Sequence, residues 1–370
     1  MKVAYFIGSL NRGGTETLVL DTFRKRHLAP FESILVYRNE GDLSEDYRAT
    51  GVPMFRIKPG GIKIGYVTKL RRLLKREGVD VLHTQTLRNA LLGVFCTCFS
   101  KIKLVASFHG FITYPSNRLI APFVMLGVDS MVFVSEYERE WYLKHVLFTC
   151  EKRSHVVYNG IDFSKFDGDY PSPAFLDGHD KGSTEIVRMA MVGNFVRGRS
   201  QHFLCEVMKA YRDHGGERVR LYFIGRQSHS EPERYDDCLR FCRENDLLDS
   251  SVFFLGGRSD VPAILQHVDA FVYSSDYDTF GIAVVEAMAS GIPVLVNDWV
   301  VMKEITDHGS LAALYGTRDV DDCLSKLYDL TDHLEDRKAM AKKVAGIVRR
   351  RFSIENHIDN LNKVYHSLQG

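Results

Sequence analysis

The sequence predicts an α/β protein built as two doubly wound domains facing a central cleft, and three observations carry that prediction. A chain of 370 residues exceeds one ordinary hydrophobic core and suits two. Short apolar runs alternate with amphipathic segments, the signature of a parallel sheet wrapped by helices. The alternation breaks once, in FSKFDGDYPSPAFLDGHDKGSTE from Phe163 to Glu185, a stretch rich in Asp, Gly, Ser and Pro, and then resumes. The expected division is a first domain over 1–165, a linker over 166–186, a second domain over 187–351 and a closing helix over 352–370 that returns to the first domain.

In the first half, VAYFIG (3–8) reads as a strand, residues 15–27 as a helix, SILVYR (33–38) as a strand and KLRRLLKRE (69–77) as a helix. VLHTQ (81–85), LVASFHG (104–110) and MVFVS (131–135) follow as buried strands whose last residues turn polar. In open parallel sheets, ligands gather at those carboxyl ends. The second half repeats the pattern in RMAMVGNF (188–195), RLYFIG (220–225), SVFFLG (251–256), DAFVYSS (269–275) and PVLVND (293–298). FSIENHIDNLNKVYHSL (352–368) has apolar residues at helical spacing and supplies the closing helix.

Composition excludes several functions. A net charge of +1 offers no global field to recruit nucleic acid, so no nucleic-acid partner is expected. The seven cysteines show no Cys-x-x-Cys spacing for zinc or redox chemistry and read as reduced core thiols of a cytoplasmic protein. The apolar N-terminal run passes directly into NRGGTE and is a strand, not a signal peptide, and no stretch is long enough to span a bilayer. The basic, amphipathic segment 69–77 is either a solvated outer face or a peripheral contact with a membrane surface, and RRRF (349–352) is a second basic candidate.

Four constellations carry chemistry. Gly13 and Gly14 sit between the first strand and its helix, where backbone N–H groups can approach an anionic or hydroxylated ligand; a plain tight turn is the alternative. They do not complete a G-x-G-x-x-G fingerprint, which argues against a dinucleotide oxidoreductase. His109 ends a strand and Gly110 leaves room beside it, whereas His83 reads as structural. VGNFVRGRSQH (192–202) places Arg197 and Arg199 after a strand, where two guanidiniums can neutralise a diphosphate.

The fourth is SSDYDTFGIAVVEAMASGIPVLVND (274–298), with Asp276, Asp278 and Glu286 around a glycine turn that opens a helix. The amides of Phe280, Gly281 and Ile282 lie at that helix N-terminus, where phosphate is stabilised. Three readings are open. Asp276-Tyr277-Asp278 imitates a metal-binding Asp-x-Asp, but the second domain already offers arginines and a helix terminus for the same phosphates. A hydrolytic Asp278–Glu286 pair leaves the arginines and glycine turns unexplained. In the third reading the acids orient a sugar nucleotide and are not nucleophiles.

Taken in order, GGTE (13–16), FHG (108–110), VSEYE (134–138), VYNGID (157–162), VGNFVRGRSQ (192–201), DTFGIAVVE (278–286), EAMASGIPVLVND (286–298) and Glu304 resemble the family-four glycosyltransferases of the GT-B fold nearly end to end. The resemblance implies two Rossmann-like domains and retaining transfer of a hexosyl or N-acetylhexosaminyl unit from a nucleotide-diphosphate sugar to a glycan or lipid-linked sugar. It implies no cofactor and no metal, with a UDP-sugar favoured over a GDP-sugar as substrate. Many relatives work at the cytoplasmic face of the membrane.

Residue by residue, the resemblance implies that Gly13 and Gly14 lie near the donor phosphate and the acceptor, and that His109 contacts the donor sugar. It implies that a basic pair after the first strand of the second domain grips the diphosphate, and that Asp278 contacts sugar hydroxyls, aided by the amides of Phe280 and Gly281; Asn194, Arg197, Thr279 and Ile282 complete the expected donor-binding set. Glu286 holds the ribose. His109, Arg199 and Asp278 form the expected catalytic set. The sequence departs from the family at Asn194, where an arginine is usual, at Arg199, usually lysine, and at Asp278, usually glutamate. Arg197 is the expected substitute for the missing charge. Acceptor choice is expected on loops 40–65 and 110–120. Rivals on the same scaffold are a nucleotide-sugar epimerase and a non-catalytic sugar-nucleotide-binding subunit.

Overall fold

The structure is a computed structural model that describes residues 1–58, 63–177 and 186–369. The remaining parts of the expected linker and of the 40–65 loop lie outside the described residues. The chain divides into two compact units, 1–162 with 352–370, and 163–351.

Unit 1 holds a seven-stranded sheet of β1 (Lys2–Phe6), β2 (Glu32–Tyr37), β3 (Met54–Arg56), β4 (Val81–Thr84), β5 (Lys103–Phe108), β6 (Ser130–Phe133) and β7 (Ser154–Val156). Its order is β3-β2-β1-β4-β5-β6-β7 and every pairing is parallel. Strands such as β1 and β4 are buried almost throughout because helices cover both faces of the sheet. On one face the helices Lys63–Arg76, Leu87–Thr97, Pro115–Gly127 and Glu136–His145 pack over a core that includes Leu70, Leu74, Leu104, Val124 and Tyr142. On the other, Gly14–Arg24 and the closing helix Ile354–His366 enclose Tyr5, Leu20, Val105, Ile358 and Tyr365. The closing helix starts where the Ser353 hydroxyl accepts the Asn356 N–H at 3.1 Å. Its return is fixed by a parallel bridge between Ile161 and Ser353.

Unit 2 holds a six-stranded sheet of β8 (Val187–Val192), β9 (Val219–Ile224), β10 (Val252–Phe254), β11 (Ala270–Tyr273), β12 (Val294–Asn297) and β13 (Ala313–Tyr315), in the order β10-β9-β8-β11-β12-β13. All its pairings are parallel. The predicted α/β class with two doubly wound sheets is therefore observed. Phe163–Phe166 belongs to unit 2, where the Gln266 amide donates to the Phe166 and Gly168 carbonyls.

Two basic segments look different once folded. The helix containing 69–77 buries Leu70, Leu73 and Leu74 in the unit 1 core, so only its charged side faces outward. In RRRF, Arg349 donates to the Ala289 carbonyl and pairs with Asp167, and Arg351 donates to the Glu304 carbonyl. All seven cysteines are free thiols; Cys98 is exposed and Cys150 half-buried, so the core reading fits the other five. Among the described residues, no helix is long and apolar enough to cross a membrane.

Candidate functional site

The strand order of each sheet reverses once, between β1 and β4 in unit 1 and between β8 and β11 in unit 2. Loops leaving the two strands at a reversal diverge to opposite faces and leave a crevice at the carboxyl edge. In unit 2 the loops concerned are 193–200 and 274–281, the two that the sequence singles out.

These loops are stitched together. The Gly198 carbonyl accepts the Ser275 hydroxyl at 2.7 Å and the Asp276 N–H at 3.0 Å, and the Ser200 N–H donates to the Ser274 carbonyl at 3.0 Å. Gly198 has φ +88°, and a Cβ there would stand 2.3 Å from the Tyr277 Cβ, so both conformation and space require glycine. The stitch delivers Arg199. Its guanidinium lies 3.1 Å from Asp278 Oδ2 and 5.1 Å from the centroid of the Tyr273 ring. The Tyr273 hydroxyl donates to the same carboxylate oxygen at 2.5 Å. Burial pushes the Asp278 carboxyl above its usual range, and the Arg199 charge opposes that push.

Other parts of the loop are equally fixed. The Trp299 indole donates to the Asp278 carbonyl at 3.3 Å. Fully buried Asn297 accepts the Ser275 N–H at 2.9 Å and donates to the Ser275 carbonyl at 2.8 Å, acting as a neighbouring strand would. Phe280 is buried, half-buried Thr279 precedes it, and Gly281 at φ +90° is the N-cap of the Ile282–Ala289 helix. The Gly281 carbonyl accepts the Val284 and Val285 N–H groups at 3.0 and 3.3 Å, and the helix dipole makes this start an anion-compatible end. Glu286 lies on its second turn, half-buried.

The departures from the family pattern acquire reasons. Asn194 Oδ1 accepts the Arg226 N–H at 2.9 Å, fastening the 193–200 loop to the exit of β9, a contact an arginine could not make in the same way. Arg197 is exposed and its N–H is held by Glu231 at 2.7 Å. Asp276 pairs with Arg318, so each acid of Asp276-Tyr277-Asp278 has its own arginine. Among the described residues no group of three or more His, Cys, Asp or Glu side chains could hold a metal ion.

Unit 1 carries the remaining predicted residues. Gly13 is the extended N-cap of the Gly14–Arg24 helix, and Gly14 is exposed at its first position. His109 follows β5, its Nε2 3.0 Å from Gln85 Oε1, and a Cβ on neighbouring Gly110 would meet nothing within 4 Å. Burial pushes His109 down to about 4, so the ring is neutral near pH 7. His83 is structural, as expected: it bonds Tyr365 at 2.6 Å and Ser107 at 2.7 Å, and burial pushes it down to about 3. Behind His109, a space of about 10 Å³, enough for one water, is lined by Tyr5, Gln85, Asn159 and His357 among others.

Thus Arg199, Asp278, Thr279, Gly281 and Ile282 are assembled at one switch point, whereas Gly13, Gly14 and His109 belong to the other unit. Sequence reasoning missed Gln85, Tyr273, Asn297 and Trp299. Asn297 alone had a visible signal, an amide ending a wholly apolar strand.

Comparison with known proteins places this geometry. A model described as glycosyl transferases group 1 matches residues 187–333, and one described as glycosyltransferase family 4 matches 12–165. A UDP-Gal:alpha-D-GlcNAc-diphosphoundecaprenol alpha-1,3-galactosyltransferase of Escherichia coli is 23% identical, covering 95% of this chain and 93% of its own. The alpha-monoglucosyldiacylglycerol synthase of Streptococcus pneumoniae is 23% identical over 72% of this chain and 63% of its own. Among solved structures, Anabaena HepE in complex with UDP superposes with a TM-score of 0.84 at 16% identity, covering 99% of this chain and 100% of its own. A glycosyltransferase from Rickettsia africae gives 0.86 at 16% identity, covering 100% and 98%.

Proposed function

The chain belongs to the glycosyltransferases of group 1 and family 4, and from that premise we propose that it is a retaining, metal-independent enzyme of bacterial surface-glycan synthesis. It moves a hexosyl or N-acetylhexosaminyl unit from a UDP-sugar to a glycan or lipid-linked sugar, at the inner face of the membrane. The observation that carries this reading is the Arg199–Asp278 pair at the unit 2 switch point, beside the N-terminus of the Ile282–Ala289 helix, which has no side-chain cap. The UDP in HepE and the UDP-galactose and diphosphoundecaprenol in the name of the E. coli relative support the donor and acceptor classes.

The chemistry follows from charge. When the glycosidic bond to the diphosphate breaks, negative charge grows on the leaving oxygen. A guanidinium has five N–H donors; one end of Arg199 faces Asp278, and the others can meet phosphate oxygens. Arg197 and the helix terminus add positive potential, so no cation is required for the departure. Asp278 holds sugar hydroxyls, Glu286 the ribose, and neutral His109 offers a hydrogen bond without adding charge. The acceptor attacks the face that the diphosphate leaves, and a departing phosphate oxygen takes its proton. Positioning supplies the rest of the acceleration.

The test is UDP release from a UDP-hexose with and without a lipid-linked sugar, with EDTA present, and the anomeric configuration of the product read by NMR. Acceptor-dependent UDP release with retained configuration is expected. Sugar isomerisation without nucleotide release would instead identify an epimerase, and donor binding without turnover a binding subunit.

A further inference from the structure

Twelve large hydrophobic side chains are exposed among the described residues, and eight of them lie between residues 95 and 148 of unit 1. Single exposed apolar residues are ordinary, but a contiguous set marks a contact surface. On the Pro115–Gly127 helix, Leu119, Phe123 and Leu126 follow the i, i+4, i+7 spacing of one face, with exposures of 75%, 66% and 57%. The opposite face of the same helix is core, through Ala121, Val124 and Met125.

Two further pairs join this stripe. Phe95 and Phe99 lie at the end of the Leu87–Thr97 helix, which packs tightly on the first: a Cβ on Gly127 would stand 2.5 Å from Val94 Cγ1. Leu147 and Phe148 are tied in by Arg153, whose guanidinium donates to the Val128 carbonyl at 2.6 Å and to the Phe148 carbonyl at 3.4 Å. The backbone is also unusual here. Phe99 has φ +57° and Phe148 φ +65°, and Phe99 is 99% exposed. After a helix the left-handed position normally falls to glycine. A phenylalanine there is strained and, in water, leaves its ring without an apolar partner.

The surroundings are basic. Arg71 donates to the Phe99 carbonyl at 3.4 Å, which ties the Lys63–Arg76 helix to the Phe99 turn, and Lys69, Arg72 and Lys75 of the same helix are exposed. A recess of about 450 Å³ beside that turn is lined by Lys101 and Lys103, with Asp129 already paired to Lys103. Apolar rings flanked by lysine and arginine match the acyl boundary and the anionic headgroups of a bilayer.

We propose that this face of unit 1 docks on an anionic phospholipid surface, the rings of Phe99, Phe123 and Leu126 entering the acyl boundary and the Lys63–Arg76 helix lying over the headgroups. The surface that inserts is therefore not the helix 69–77 but its neighbours, and the basic helix contributes charge alone. The inference rests on the lipid-linked-acceptor reading, for which a bilayer-bound enzyme is the natural form.

The test is flotation of the full chain with vesicles of phosphatidylcholine, with and without phosphatidylglycerol, alongside light scattering and UDP titration of the same samples. The wild type is expected to float with the anionic vesicles. Phe99→Gly combined with Phe123→Ser should lower the partition coefficient by about tenfold or more through lost apolar burial, with UDP affinity and thermal midpoint preserved. Lys69→Gln with Arg72→Gln and Lys75→Gln should remove the preference for phosphatidylglycerol. A chain that binds UDP but ignores anionic vesicles, or a Phe99/Phe123 variant that floats like wild type, overturns the docking surface and leaves the donor site standing. A wild-type dimer that the same variant converts to monomer would assign the face to a second copy. Flotation without nucleotide binding would overturn the donor site alone.

Discussion

The two switch points of this chain use opposite electrostatics. In unit 1 the carboxyl edge of the sheet carries His109, with buried His83 and His357 behind it, and burial pushes the three down to about 4, 3 and 4, so the edge is backed by neutral rings. In unit 2 the equivalent edge carries Arg199 against Asp278, with Asp276 against Arg318 alongside. The contrast teaches what each edge can do by itself: the permanent guanidinium of unit 2 can meet an anion, whereas the neutral edge of unit 1 can only exchange hydrogen bonds.

Acidification breaks the comparison most strongly. Each depressed histidine contributes stability that is present above its unfolded value near 6.5 and is lost as pH falls through its folded value of about 3 to 4. Unfolding between those values takes up close to one proton per histidine, so unit 1 should lose about 4 kcal/mol per pH unit at the steepest point. Asp278 has the opposite sign: its raised value gives stability at low pH that disappears as pH rises through the folded value. The two tryptophans, Trp141 in unit 1 and Trp299 in unit 2, report each side separately. In single-tryptophan variants the urea midpoint seen by Trp141 should fall more steeply between pH 6 and 4. Equal slopes would sink the neutral-histidine description.

Arg199→Ala comes next. Removing the charge proposed to meet the leaving diphosphate should lower kcat/KM by about 10²–10³, or roughly 3–4 kcal/mol. Arg199→Lys should recover part of it, because lysine retains the charge but loses the fork and the guanidinium's stacking on the Tyr273 ring. Steady-state UDP release checks both, and an alanine variant within threefold of wild type would move the diphosphate grip elsewhere. Asn297→Ala should cost about 2 kcal/mol of stability, since the Ser275 N–H and carbonyl lose their partner inside the protein. Denaturant titration followed at Trp299 measures it. The smallest expected effect is Tyr273→Phe, which removes one hydrogen bond to Asp278 and should change kcat/KM by about tenfold or less.

These residues also mark the limit of what the sequence discloses. Long buried strands and their polar exits are legible, because apolar runs and glycine turns are local signals. Three of the four three-residue strands, β3, β7 and β13, are not, being too short to show a period, whereas β10 is legible because the apolar run SVFFLG extends past it. The acid-x7-Glu stretch and the arginines are visible as charge types at strand ends. That Arg199 meets Asp278 is not, because it depends on Gly198 bringing two distant loops into register. Gln85 and Tyr273 look like ordinary strand-end residues until β4 is seen beside β5 and β11 beside β8. Helix 69–77 shows the converse: its basic amphipathic pattern is real, but its apolar half is spent on the core.

The central claim is that unit 2 binds a nucleoside diphosphate through Arg199, Glu286 and a helix terminus, without metal. Calorimetric titration of the purified chain with UDP and with GDP, each with and without EDTA, tests it most directly. The account predicts binding of UDP over GDP, unchanged by chelator and lost in Arg199→Ala and Glu286→Ala. Binding that disappears with EDTA, or survives both substitutions, would contradict it and return Asp276 and Asp278 to consideration as metal ligands.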